Sequence, residues 1–143
     1  YTSSDNLEGV AGWLPGELAN MTLWGVFRSG GLSRGLRLGF RYGPRMMKIF
    51  TPLEKDRNRN MAGKGYIYVP VLGVATAHHG QGHGGALIRA LVDKSERERA
   101  PLYLETETES NVSLYEKFGF EVIQKIQLPL VNLPMWQMVR NPE

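Results

Sequence analysis

The segment 78–91 reads HHGQGHGGALIRAL, and it concentrates the groups in this chain that could do chemistry. It holds all three histidines and four glycines, and an apolar helical pattern follows at once. Imidazole binds metal ions and transfers protons near neutral pH. Glycine lets a ligand approach the main chain, and the N–H groups at a helix N-terminus attract anions. The segment therefore predicts a site for a phosphate group, a dinucleotide or a metal ion.

The residues in and around this glycine loop argue against three candidate ligands, namely ATP or GTP, a dinucleotide and a metal ion. A P-loop for ATP or GTP needs Lys followed by Ser or Thr after the glycines, and no such pair follows. Residues 80–85 match the dinucleotide pattern G-x-G-x-x-G, with Glu105 about twenty residues later. However, residues 76–79 separate the loop from its strand, and too little chain follows for further β-α units. Neighbouring histidines without a carboxylate rarely share one ion, so we predict no metal. A phosphate or pyrophosphate between Ala77 and Ala86 remains the preferred ligand.

Hydrophobic periodicity and turn residues predict an α/β domain around this loop. Before it, the pattern indicates a strand over 9–14, a helix within 21–42, a second helix opening at Pro44 and broken at Pro52, and a loop over 58–64. From residue 66 onward it indicates strands over 66–75, 101–105, 121–128 and 134–140, with Pro70 at a bulge or free edge of the first. It also indicates a helix over 84–99 and a short helix that is capped by Ser110 or Asn111 and ended by Gly119. The helix between the first two of these later strands predicts that they are parallel.

The composition is that of an ordinary globular protein. The chain has 143 residues, of which 42% are hydrophobic and 22% are charged, and it has no cysteine. Disulfides and cysteine-based zinc sites are therefore excluded. No apolar run is long enough for a bilayer and no signal peptide is visible, so we expect a cytoplasmic protein with no membrane partner.

Basic side chains crowd the segment 28–64, although the net charge is only +3. Such a segment is typical of a solvated helix face, of a nucleic-acid or membrane surface, or of a region that attracts a polyanionic cofactor. No aromatic-rich RNA motif or helix-turn-helix pattern accompanies it. We therefore favour the solvated helix face and expect no nucleic-acid partner.

Two sequence blocks resemble a known family. VLGVATAHHGQGHGGALIRAL, followed by LYLETETESNVSLYEKFGFEV, is similar to the acetyl-CoA core of the GNAT N-acetyltransferases. The family loop Q/R-x-x-G-x-G/A corresponds to residues 79–84, where His79 replaces the usual Gln or Arg. The family pattern N-x-x-x-Y-x-x-x-G-F corresponds to residues 111–120. The tail and the WLPG segment further resemble puromycin N-acetyltransferase-like members.

The resemblance implies the GNAT acyl-CoA N-acyltransferase fold, an α/β (α+β) fold whose mixed central sheet is flanked by helices. We expect a single GNAT domain over 1–143, with the acetyl-CoA-binding core over 66–140. Before that core only the segment 9–14 is a clear strand. We therefore expect part of the usual N-terminal strands to be missing.

The resemblance also implies a set of site residues. The pantetheine of acetyl-CoA would pair with the strand backbone, and the Val74 N–H would polarise the thioester carbonyl. Tyr115 falls at the position of the general acid, and Asn111 would bind the cofactor or cap its helix. The residues expected to hold the cofactor are Leu72, Gly73, Val74, His79, Gly80, Gln81, Gly82, His83, Gly84, Gly85, Ala86, Asn111 and Tyr115.

The general base and the acceptor site are less clearly indicated. Glu105 is the preferred base, with Glu107 and His78 as alternatives, and a surface role is open for each. Three tryptophans could line an acceptor pocket or belong to the core, namely Trp13, Trp24 and Trp136.

These observations predict an N-acetyltransferase that moves an acetyl group from acetyl-CoA to a primary amine of a small molecule. The alternatives are a non-catalytic acyl-CoA-binding module or regulator, and a nucleic-acid-associated protein that uses the basic segment. A homodimer is left open by the sequence.

Overall fold

A five-stranded mixed sheet carries helices on both of its faces. The coordinates are a computed structural model, and the structure describes residues 1–20 and 31–143. The strands are β1 (Gly9–Pro15), β2 (Ile67–Val74), β3 (Leu102–Thr106), β4 (Glu121–Leu128) and β5 (Leu133–Arg140). The helices are α1 (Gly31–Asn60), α2 (His83–Glu98) and α3 (Glu109–Glu116).

The strands lie in the order β1-β2-β3-β5-β4. β2 and β3 are parallel, as the sequence predicts, and the other neighbouring pairs are antiparallel. Between Gly12 and Leu14 of β1 the partner residues on β2 advance from Val71 to Tyr68, so β2 contains one extra residue there. Pro70 lies in this bulge, where its missing N–H breaks no regular ladder. The prediction for Pro70 is confirmed.

Side chains alternate between the two faces of the sheet. On one face, Leu102 and Leu104 of β3 pack with Leu87, Ile88 and Leu91, the apolar stripe of α2. On the other face, Tyr103 packs with a second group of partly or fully buried residues, namely Met61, Tyr66, Tyr68 and Val139. The helix α2 therefore begins over one face, with the glycine loop directly before it.

The helix α1 corrects two predictions. It runs without interruption from Gly31 to Asn60, although separate helices and a break at Pro52 were expected, and the loop predicted over 58–64 begins after Asn60. A proline within a helix removes one backbone hydrogen bond. Packing outweighs this loss at the C-terminal end of α1, where Leu53 and Arg57 are buried. Residues 21–30, which include Trp24, lie outside the described residues.

The end signals of α3 differ in part from the prediction. Thr108 caps its N-terminus, because its Oγ1 accepts a hydrogen bond from the N–H of Asn111 at 3.3 Å. Ser110 and Asn111 therefore lie inside the first turn and do not cap it. Gly119 follows the helix with φ +81°, the left-handed conformation that favours glycine after a helix end. Among the described helices, none is long and apolar enough to cross a membrane.

Candidate active site

The sheet opens between β2 and β3. Their parallel pairing starts at Ile67 opposite Leu102 and ends with Val69 opposite Leu104. Beyond this point residues 71–74 pair with β1, whereas Glu105 and Thr106 pair with β5. No ladder joins the two strands past Val69 and Leu104, and each face of the sheet carries a pocket beside this opening.

The pocket on the α2 face, here called the loop cleft, has a volume of about 690 Å³. It collects most of the residues predicted to hold the cofactor. Gln81 and Ala86 do not line it, although the Gln81 side chain braces the loop by donating Nε2 to the carbonyl oxygen of Ala77 at 3.3 Å. The lining residues are Leu72, Gly73, Val74, His78, His79, Gly80, Gly82, His83, Gly84, Gly85, Ser110, Asn111, Leu114 and Tyr115.

The exposed edge of β2 in this cleft offers backbone hydrogen-bonding groups. The N–H of Ala75 donates to the carbonyl oxygen of Glu8 at 2.7 Å, so it points toward β1. Because backbone direction alternates along a strand, the amides of Leu72 and Val74 point the other way, into the opening. These are the groups that the resemblance assigns to the pantetheine chain, so the exposed edge fits that ligand.

The glycine loop has the conformation and the free space that an anion requires. Gly80 and Gly82 have φ of +78° and +88°, and a Cβ at either position would meet nothing within 4 Å. The first backbone bond of α2 runs from the N–H of Ala86 to the carbonyl oxygen of Gly82 at 3.0 Å. The preceding N–H groups in the first turn therefore have no acceptor within the helix and are available to a phosphate.

The three histidines take different positions in the cleft. His79 is exposed, and its Nε2 lies 2.9 Å from the carbonyl oxygen of Val74 on the free strand edge. His78 and His83 are half-buried and stack edge to face, with ring centroids 5.9 Å apart. His78 thus lies in the loop cleft beside the glycine loop, and its alternative assignment as the base stays a prediction.

The candidate general acid Tyr115 is buried and lines the loop cleft. Its ring packs against that of Phe120, with ring centroids 5.5 Å apart. Burial, and secondarily the charge of Glu107, raises the pKa of Tyr115. The phenol therefore stays protonated at neutral pH, as a proton donor must. Asn111 lines the same cleft and donates its Nδ2 to Oγ1 of Thr106 at 3.0 Å, which ties α3 to the end of β3.

The candidate base Glu105 lies on the other face of the sheet, in a second pocket of about 300 Å³. We call this the carboxylate pocket, because three carboxylates line it. Its lining residues are Ala19, Phe50, Leu53, Glu54, Arg57, Tyr68, Pro70, Glu105, Glu107 and Met135. Tyr115 and Glu105 therefore approach the opening between β2 and β3 from opposite faces.

Glu105 is held by two partners, the buried Arg57 and the half-buried Tyr68. Its Oε1 lies 3.3 Å from Nη1 of Arg57, and its Oε2 accepts a hydrogen bond from the hydroxyl of Tyr68 at 2.7 Å. Burial raises the pKa of Glu105, and these two partners offset that effect only in part. Burial is the largest single influence on Arg57 and disfavours its charge, but the attractions of Glu105 and of the neighbouring tyrosines together outweigh it and the pKa of Arg57 is raised. We take the pair as ionised at neutral pH, with Glu105 easier to protonate than an ordinary glutamate.

Neither Trp13 nor Trp136 lines the loop cleft or the carboxylate pocket. Trp136 belongs to the core on the α2 face, and Trp13 contacts the Lys94 ammonium, which lies 3.5 Å from the ring centroid. The sequence analysis missed Arg57 and Tyr68 as partners of Glu105, because Arg57 was placed with the solvated basic residues. The spacing of Leu53 and Arg57, four residues apart on one helix face, was the available signal.

The comparisons with known proteins agree with this geometry. The family model described as acetyltransferase (GNAT) domain matches residues 53–122. An uncharacterised N-acetyltransferase of Schizosaccharomyces pombe is 30% identical over 142 residues, and the match covers 94% of this chain and 57% of that protein. The chain thus spans little more than half the length of the curated relative it matches.

Solved structures show the same fold at low identity. The NatC complex bound to Gag peptide and CoA matches with a TM-score of 0.50 and 24% identity, over 57% of this chain and 54% of that chain. Ard1 from Thermoplasma volcanium matches with a TM-score of 0.50 and 18% identity, over 55% of each chain. The predicted mixed α/β fold is confirmed.

The comparisons therefore support the GNAT acetyltransferase domain family for this chain, with the family match over residues 53–122. The same findings support an acetyl-CoA-dependent acyltransferase, as the sequence predicts. They do not confirm the narrower likeness to puromycin N-acetyltransferases, nor a small-molecule acceptor, and both stay predictions.

Proposed function

We propose that this chain is the catalytic domain of an N-acetyltransferase that acetylates a primary amine of a small molecule. One observation carries the proposal: a protonated phenol and a buried carboxylate stand in separate pockets on the two faces of one sheet opening. A donor and an acceptor can enter such a site from opposite sides and meet between the strands. Because the chain spans only part of its curated relative, the activity of the whole protein is part of this proposal.

The loop cleft would hold acetyl-CoA, which supplies the acetyl group as a thioester. The amides of Leu72 and Val74 would pair with the pantetheine, and Val74 N–H would polarise the thioester carbonyl. The N–H groups of the first turn of α2 would bind the pyrophosphate. Tyr115 would donate its phenolic proton to the departing thiolate.

The carboxylate pocket would hold the amine. Its volume of about 300 Å³ is at the lower end of the range for small-ligand sites. Glu54, Glu105 and Glu107 line it, and Arg57 is already bonded to Glu105, so the pocket attracts an ammonium group. Glu105 would accept the proton that the amine loses, with Glu107 as the second carboxylate within the same pocket.

The proposal is tested by thiol release from acetyl-CoA with a panel of acceptors. The panel contains diamines, puromycin, free amino acids and short peptides with a free N-terminus. We expect turnover with one of the small amines and slower turnover with the peptides. Turnover with the peptides alone would overturn the small-molecule acceptor but would support the acetyltransferase.

Two variants separate an enzyme from a binding module. Tyr115→Phe removes the phenolic proton and is expected to lower kcat by about 10²–10⁴-fold, with affinity for acetyl-CoA retained in a calorimetric titration. Leu114→Met is the matched control on the same helix, because it alters a lining residue without removing a titratable group. Tight binding of acetyl-CoA with no turnover for any acceptor would favour a non-catalytic acyl-CoA-binding module.

A further inference from the structure

Two half-buried histidines stand together in the loop cleft. The rings of His78 and His83 meet at 83°, with centroids 5.9 Å apart, and both residues line the cleft. Of the described residues that line it, only these two and His79 can carry a positive charge. The others are glycine, apolar or neutral polar residues.

A coenzyme A thioester would bring several negative charges into this cleft. The helix N-terminus offers an effective charge of only about half a unit. The nearby guanidinium of Arg89 lies outside the cleft, where its Nη1 would be 3.5 Å from a Cβ built on Gly85. A half-buried anion requires compensating charge, and the imidazoles are the side chains placed to supply it.

The hydrogen bonds around His78 indicate which of its ring nitrogens can meet a phosphate. Gln81 uses its Nε2 to donate to Ala77, so its Oε1 is the atom that lies 3.5 Å from Nδ1 of His78. This arrangement favours the proton on Nδ1 and leaves Nε2 without one in the neutral ring. Neutral Nε2 is an acceptor and would repel a phosphate oxygen. Protonation turns it into a donor.

We propose that the imidazoles of His78 and His83 bind the pyrophosphate of the cofactor, and that the pair takes up a proton as the cofactor binds. The inference rests on the proposed function, since it takes coenzyme A as the ligand. Two neighbouring imidazoles share the added charge, so uptake of about one proton per bound cofactor is expected.

The cleft holds one further imidazole, that of His79, whose Nε2 lies 2.9 Å from the carbonyl oxygen of Val74, so a separate variant of His79 tests its contribution. Ser110, Asn111 and Tyr115 face the cleft from α3, and the pKa of Tyr115 is raised by burial. Glu107, which precedes the cap of α3, and Glu109, which begins the helix, do not line the cleft. From β2 the cleft receives backbone groups and apolar side chains.

The test is a calorimetric titration with S-acetyl-3′-dephospho-coenzyme A. This ligand keeps the pyrophosphate but lacks the 3′-phosphate, which would itself titrate near neutral pH. Titrations in PIPES and in Bis-Tris at one pH give the number of protons taken up, because the two buffers differ in their heats of ionisation. A series between pH 6 and pH 8 gives the pH dependence of Kd.

We expect uptake of about one proton by the wild type, with Kd weakening by up to about tenfold per pH unit where the pair is neutral. The double variant His78→Gln, His83→Gln should lose both the uptake and the pH dependence. His79→Gln tests the third imidazole of the cleft and should keep both, because the His79 ring is engaged with the Val74 carbonyl. Thermal unfolding of each variant shows that it is folded.

Three outcomes would overturn the inference, and they differ from a failure of the proposed function. Binding by the wild type without proton uptake would contradict it directly. Uptake that survives in the double variant would assign the proton to another group. Loss of proton uptake in His79→Gln, with uptake kept in the double variant, would assign the proton to His79. If the folded wild type binds neither this ligand nor acetyl-CoA, the proposed function itself fails.

Discussion

Replacement of Arg57 by methionine probes the pair that holds the candidate base. The guanidinium and the Glu105 carboxylate are 3.3 Å apart, and their side chains are only 6% and 9% exposed. At an effective dielectric constant of about 20, two charges at this distance attract by about 5 kcal/mol. Removing Arg57 leaves a buried carboxylate that still accepts a hydrogen bond from Tyr68 but has lost its cation. We therefore expect Arg57→Met to lower the free energy of unfolding by about 3–5 kcal/mol at pH 8.

The loss should depend on pH with a definite sign. Burial raises the pKa of Glu105 above its ordinary value of 4.5, so its contribution to stability is fully present below that value. This contribution is lost as the pH rises through the raised pKa of the folded state. Without Arg57 the pKa rises further, and the protonated carboxyl no longer needs a cation. The variant should therefore be less impaired at pH 5 than at pH 8.

Urea unfolding at the two pH values measures both effects. The double variant Arg57→Met, Glu105→Gln should recover most of the lost stability, because a neutral amide replaces the orphaned charge. Arg59→Met is the matched control, since the Arg59 side chain is 65% exposed in its contact with Asp56, and it should cost at most about 1 kcal/mol. A loss of that small size in Arg57→Met, or an equal loss at both pH values, would refute a desolvated ion pair.

Three further predictions test other parts of the site. Gly82→Ala places a Cβ at φ +88° and should lower the free energy of unfolding in urea by about 1–2 kcal/mol. Gly65→Ala is the control without this loss, because its φ lies outside the left-handed region and its Cβ would meet nothing within 4 Å. Thr108→Ala removes the cap of α3 and should lower the free energy of unfolding by about 0.5–2 kcal/mol. A loss too small to measure would show that the Thr108 cap does not stabilise the protein. Glu105→Gln should remove the acidic limb of the pH profile of kcat/KM, which in the wild type should lie above pH 4.5 because the pKa of Glu105 is raised. If Glu105→Gln keeps the acidic limb and Glu107→Gln loses it, the base is Glu107.

The proposed donor side of the site lies within one local segment, and this is why sequence patterns could predict it. The loop, its two left-handed glycines and the first turn of α2 lie within ten residues of one another. Pro70 marks the bulge of β2 in the same way, because a residue without an N–H has few places in a sheet. The boundaries of α2 and β4 also follow from periodicity that neighbouring residues carry by themselves.

The carboxylate pocket, the proposed acceptor side, depends on contacts between distant segments. Arg57 and Glu105 are 48 residues apart, and Arg57 also donates to the carbonyl oxygen of Ala19 and to Oδ1 of Asn20. No local pattern distinguishes such an arginine from the exposed ones beside it. The continuity of α1 through Pro52 has the same origin, because contacts of the helix with the sheet outweigh a local signal to stop.

The two pockets differ in how strongly single substitutions can alter them. Apart from the imidazoles of His78 and His83, the loop cleft offers a ligand mainly backbone groups, which many side-chain substitutions leave in place. The carboxylate pocket is lined by side chains from α1, β2, β3 and β5, so a single substitution alters its charge or its shape. Exchanging Phe50 or Met135 should therefore change the preferred acceptor while the affinity for acetyl-CoA stays within about threefold. A parallel loss of cofactor affinity would mean that the two pockets do not act as separate halves of one site.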